Sequence, residues 1–137
     1  MERIAYRRGY KYQLSETYEV TIPELANRPP IVTEYISIIN GSLFIKEGYA
    51  WDGPSGPTID TKGFMRGALI HDALYQLLRE ESLPKEDRVI ADKVLKRTCL
   101  EDGMFFVRAN VVYLAARAFA SFAADPANKK PRVYAPK

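Results

Sequence analysis

The sequence is short of the residues that build metal and redox centres. It holds one histidine, His71, and one cysteine, Cys99. A single cysteine closes no internal disulfide, so this is not a small secreted scaffold stapled by cystines. A structural zinc site takes about four Cys or His ligands, and the chain offers two such residues in all. Long apolar runs are also missing. No stretch reaches the roughly 18 continuous apolar residues of a membrane-spanning helix. The longest, Val111 to Ala124, is interrupted by Arg117 and Ser121. The opening MERIAYRRGYKYQL has no apolar segment of signal-peptide length. The expectation is a protein without a transmembrane segment, folded in a reducing cytoplasm. Two catalytic signatures are absent as well. The string GPSGP at 53–57 lacks the last glycine of a G-x-S-x-G nucleophile elbow, and no phosphate-binding glycine motif occurs.

What remains is an ordinary globular chain. Its 137 residues suit a single domain. Hydrophobic residues make up 47% and charged residues 27%, far from the disordered regime. A formal charge of +3 tolerates anionic partners without requiring them.

The first part, 1–50, reads as β. Tyr18 to Ile22 alternates and carries β-branched residues. Asn27 to Pro30 reads as a turn, because its two prolines do not fit a central strand. Tyr35 to Ile39 and Ser42 to Ile45 read as strands around Asn40-Gly41, a hairpin signal in which both turn positions favour positive φ. Glu47 to Ala50 reads as a continuation of the second strand. The segment 51–62, WDGPSGPTIDTK, is a loop with two glycines and two prolines, longer than most connections in so small a domain. Residues 63–125 read as three helices: about Gly63 to Glu80, then Pro84 to Gly103, then Met104 to Ala124. Pro84 suits a first turn and Gly103 a C-terminal cap. The tail 126–137 is basic and proline-rich, and reads as extended. Strands first and helices later give an α+β order: a small antiparallel sheet followed by three α-helices.

One helix carries the candidate chemistry. His71 and Tyr75 are four residues apart, so they share a face. Asp72 points about 100° away along an adjacent stripe. The simplest reading of a lone histidine on an apolar face is a hydrogen-bonded core residue. Three features weigh against it here. Its neighbour is a carboxylate, a glycine-bearing loop leads into the helix, and Asp92 lies near the apolar stripe of the next helix between Val89 and Leu95. A buried carboxylate needs a partner, and His71 on the preceding helix is the natural one. A histidine held by a carboxylate is a general base with a fixed tautomer. Asp72, with the loop's carbonyls, offers only oxygen ligands, which suits calcium or magnesium. Cys99 lies in a helical apolar pattern and reads as a buried, inert thiol.

The strings GYAWDGPSGP, GALIHDALYQ and IADKVL resemble a family of small phage- and prophage-encoded proteins of unknown function, over about residues 35–100. The sequence His71-Asp72-Ala73-Leu74-Tyr75 also resembles the phospholipase A2 site, where a glycine-rich calcium loop precedes a His-Asp-x-x-Tyr helix and a later helix supplies an aspartate. Gly53 precedes His71 by 18 residues and Asp92 follows it by 21, separations similar to those of the short prokaryotic phospholipases. The resemblance implies His71 as base, Asp92 as its orienting partner and Tyr75 as support. It implies a calcium site of Asp72 with backbone carbonyls near Trp51, Gly53 and Ser55, and an ester or phospholipid substrate. The side chain of Asp52 is a further candidate ligand. Trp51 itself reads more readily as a core plug. The chain departs from that family in lacking its disulfides and in carrying Pro54 and Pro57. The HD-type phosphohydrolase needs several more histidines and is discarded.

Two other uses of the same residues stay open. One is a non-catalytic phage accessory or virion protein that meets phage or host proteins, with these residues as a structural polar network. The other is a small-ligand-binding counter-defence protein. Tyr6, Tyr10 and Tyr12, interleaved with Arg7, Arg8 and Lys11, read as a basic edge strand, so there is no specific nucleic-acid signal. The apolar third helix reads as core rather than membrane, with an exposed face for packing on a partner as the alternative.

Overall fold

The structure is a computed structural model that describes residues 6–7, 12–51 and 62–119. Contacts gather into two compact units. One holds the described residues up to Trp51, and the other those from Lys62 onward. The fold is α+β: antiparallel strands come first and three helices follow.

The first unit has seven short strands: β1 (Tyr6–Arg7), β2 (Tyr12–Leu14), β3 (Tyr18–Thr21), β4 (Ile31–Val32), β5 (Ile36–Ile39), β6 (Ser42–Ile45) and β7 (Ala50–Trp51). They form a four-stranded sheet in the order β3-β6-β5-β4 and a three-stranded sheet in the order β1-β2-β7. Every pairing is antiparallel.

The β5–β6 hairpin turns at Asn40-Gly41, with φ of +51° and +82°, the conformation that a two-residue primed turn requires. That turn sets the register Ile36↔Ile45 and Ile38↔Leu43. Strand side chains alternate between faces, so these four residues all point inward and are fully buried. The neighbours Ser37, Phe44 and Ile39 take the outer face. Glu47 to Ala50 does not extend β6. The chain turns over Lys46 to Tyr49, where Tyr49 N donates to Lys46 O, and Ala50–Trp51 then pairs with Tyr12 and Gln13.

The second unit has α1 (Lys62–Arg79), α2 (Arg88–Glu101) and α3 (Phe106–Phe119). A single 3-10 turn over Lys85–Asp87 follows Pro84 and leads into α2. In α1 nearly every apolar residue from Phe64 to Leu78 is buried. His71, Asp72, Gln76 and Arg79 form its partly exposed strip. In α2 the buried residues are Ala91, Asp92, Val94, Leu95, Thr98 and Cys99, which is the stripe expected of an amphipathic helix. The helix ends in a Schellman cap. Met104 N donates to Cys99 O at 2.9 Å and Gly103 N to Leu100 O at 3.1 Å. Gly103 takes φ +95°, which a side chain would strain. Arg66, 5% exposed, ties the start of α1 to the end of α2. Its guanidinium grips Asp102 through Nε and Nη2 and donates to Glu101 Oε1 at 2.7 Å.

Helix α3 is apolar, and among the described residues it joins the core through Ala109 and Ala116, with Val112 packed beside them. Ala109, Val112 and Ala116 are spaced by three and four residues, so they share one face of α3. The larger Phe105, Phe106, Val107, Val111 and Leu114 point outward, all more than half exposed. Among the described residues no helix is long and apolar enough to cross a membrane.

Candidate active site

The site is built around Asp92. It lies in the middle of the buried stripe of α2 and is 0% exposed, so its carboxylate must be satisfied from within the protein. Two helices besides its own supply the partners. From α1, Tyr75 Oη donates to Oδ1 at 2.5 Å and His71 Nε2 lies 2.8 Å from the same oxygen. From α3, Arg117 Nη1 donates to Oδ2 at 2.9 Å. Within α2 itself, Arg88 Nη1 stands 3.6 Å from Oδ2, one turn earlier in the helix. The four-residue spacing that puts His71 and Tyr75 on one face of α1 also stacks their rings, with centroids 4.1 Å apart.

The electrostatics favour the carboxylate anion. Burial alone pushes the Asp92 carboxyl up. The hydrogen bonds from His71 and Tyr75, the attraction of the His71 ring whenever it is protonated and the Arg117 bond outweigh burial and hold the carboxyl below its ordinary value. Tyr75 moves the other way: burial raises its phenol well above the usual range, and the bond to Asp92 adds to the rise.

A carboxylate can only accept, so His71 Nε2 carries the proton. In the neutral ring Nδ1 then keeps its lone pair. Nδ1 makes no hydrogen bond to a described residue and is not among the buried polar atoms lacking a partner. It therefore reaches the surface of a side chain that is 12% exposed. The arrangement is an imidazole fixed at one nitrogen by a buried anion and open at the other. Such a group can take a proton from water or a hydroxyl.

The structure thus brings His71, Tyr75 and Asp92 together. Asp72 follows His71 on α1 with a partly exposed side chain. Trp51 lies on β7 in the first unit, 4% exposed, with its ring near those of Tyr12 and Tyr49. The other proposed calcium ligands, Asp52, Gly53 and Ser55, lie outside the described residues. Among the described residues, no three His, Cys, Asp or Glu side chains are grouped to hold a metal. Cys99 is fully buried, and burial pushes its thiol up to about 12, which keeps it protonated and unreactive.

Sequence reading misses two members of the cluster. Arg117 reads as a mere interruption of an apolar run, but an arginine in such a run calls for an acid. Arg88 precedes Asp92 by four residues, the spacing of a helical ion pair. No family model, curated protein or solved structure matches the chain.

Proposed function

We propose that the chain is a small hydrolase in which His71 is the general base and Asp92 holds it. The observation that carries this reading is the 2.8 Å bond from His71 Nε2 to a fully buried, ionised Asp92, with Nδ1 left open. His71 Nδ1 takes a proton from water as the oxygen attacks the ester carbon or phosphorus. Asp92 stabilises the imidazolium that forms. The same proton then passes from Nδ1 to the departing alkoxide, and the ester bond breaks. Tyr75 and Arg117 keep the Asp92 carboxylate in place and charged.

A cation beside this base would polarise the substrate oxygen. The partly exposed carboxylate of Asp72 on α1 is its proposed ligand, and oxygen ligands suit calcium. A phospholipid or another ester is the proposed substrate class. The test is hydrolysis of nitrophenyl esters and short-chain phospholipids, with and without calcium. The rate is expected to fall by about 10²–10⁴ in His71→Ala, the range for loss of a general base. A folded His71→Ala chain with the full rate would remove the mechanism.

A second reading is favoured by one feature: all three helices send or carry a group to the same carboxylate. A non-catalytic phage-type accessory or virion protein would need that network only to pin its helices. In that case calcium leaves the melting temperature unchanged. His71→Ala then costs roughly 1–3 kcal/mol of stability with no hydrolysis to lose.

A further inference from the structure

The Asp92 cluster holds more positive charge than its anion requires. One carboxylate faces two guanidinium groups, from Arg117 at 2.9 Å and Arg88 at 3.6 Å. Neither arginine meets another acid among the described residues. One guanidinium would be enough to balance the buried charge. The second adds repulsion between like charges, which close approach on a single oxygen makes worse.

Each guanidinium also has donors to spare. Of five N–H groups, Arg117 commits Nη1 to Asp92. Arg88 directs Nη1 at Asp92 and at the Ala116 carbonyl, 3.5 Å away, and also faces Tyr75. Their remaining nitrogens are not among the buried polar atoms lacking a partner, so they reach solvent. The two side chains are 33% and 20% exposed, and His71, held by the other oxygen of the same carboxylate, is 12% exposed. Three groups with solvent-facing nitrogens therefore converge on one buried anion.

We propose that the free ends of Arg117 and Arg88 form an oxyanion subsite beside His71 that takes a phosphate group. The guanidinium fork matches the spacing of phosphate oxygens, and a phosphate anion would relieve the repulsion between the two arginines. As a substrate subsite this rests on the hydrolase reading, and it narrows the substrate to a phosphoester. Binding itself needs no turnover.

The experiment is an NMR titration of the full chain, following the His71 ring and the arginine side-chain resonances at constant ionic strength. Inorganic phosphate and glycerol phosphate are the soluble probes, monomeric short-chain phosphatidylglycerol is the lipid probe, and chloride is the control. Saturable shifts with the phosphates and none with chloride are expected. Arg117→Gln should weaken binding at least tenfold, and Arg117→Lys less. Arg88→Gln, which keeps the Arg117–Asp92 bond, should also weaken it and covers the case in which Arg117→Gln fails to fold. Binding of the lipid alone would identify a headgroup as the source of the phosphate and support the subsite. No saturable shift with any of the three, or equal binding by folded Arg117→Gln and Arg88→Gln chains, would overturn it. If phosphate binds and no ester is hydrolysed, the subsite stands and the hydrolase reading falls. If esters are hydrolysed and no phosphate binds, the reverse holds.

Discussion

Replacing Asp92 by asparagine keeps the shape of the side chain and removes its charge. Tyr75 can still donate to the amide oxygen. His71 and Arg117 lose an ionic acceptor, and the amide nitrogen now faces a guanidinium. Hydrogen bonds to a charged group contribute about 1.5–3 kcal/mol and neutral ones about half that. Removing one partner of a wholly buried ion pair costs about 3–5 kcal/mol. That upper range is discounted here, because Arg88 and Arg117 are 20% and 33% exposed and can recruit water. A loss of about 2–3 kcal/mol at neutral pH follows. For a unit of this size it lowers the melting temperature by roughly 10–20 °C. Thermal unfolding followed by helical circular dichroism reads the unit that contains α1, α2 and α3. The pH dependence has a definite sign. The Asp92 carboxyl is held below its ordinary value in the folded state. Its contribution is therefore complete above the unfolded value near 4 and is lost as pH falls through the folded value. The gap between wild type and Asp92→Asn should be level from roughly pH 5 to 8 and close below about pH 4. A loss under about 0.5 kcal/mol, within the range of an ordinary surface substitution, would refute the reasoning. So would a gap that persists unchanged at pH 2.

Further outcomes follow from other groups. The raised Tyr75 phenol predicts a tyrosine that stays protonated through the ordinary titration near pH 10 in ultraviolet absorbance. Its stabilising share is complete below pH 10 and is lost as pH rises toward the folded value, and Tyr75→Phe should remove that share. Cys99, with its thiol pushed up to about 12, should resist a thiol reagent at pH 8 in the folded chain and react at once in denaturant. A Cβ added at Gly67 would lie 3.0 Å from Cys99 Sγ and 3.2 Å from Leu95 Cδ1. Gly67→Ala should therefore forfeit the roughly 1 kcal/mol that alanine gives a helix over glycine and regain it in a Cys99→Ala background, as measured by denaturant unfolding of the four chains.

Much of the helical unit was legible from sequence because its signals are local. The apolar period marked α1 and α2, and Gly103 marked the end of α2. Asp92 stood out because a carboxylate in an apolar stripe has few ways to be buried, and the preceding helix carried the one histidine. The β5–β6 hairpin was legible for the same reason, since Asn40-Gly41 states its own geometry. What escaped was nonlocal. The pairing of Tyr12 with Trp51 joins two- and three-residue strands far apart in the chain, too short to leave a pattern. Arg117 escaped because its partner lies on another helix. Which side of α3 faces outward escaped because composition alone does not say which apolar face is covered. The small Ala109 and Ala116 took the core, and the larger residues did not.

The tautomer of His71 decides whether Asp92 prepares the ring as a base. Asp92 is held ionised and can only accept, so Nε2 must carry the proton and Nδ1 must be bare for His71 to act as a base. Long-range ¹H–¹⁵N correlation spectra of the neutral ring distinguish the two nitrogens. The wild-type chain should show the Nε2–H tautomer, and Asp92→Asn should lose that preference. A wild-type ring protonated on Nδ1 would contradict that role of Asp92.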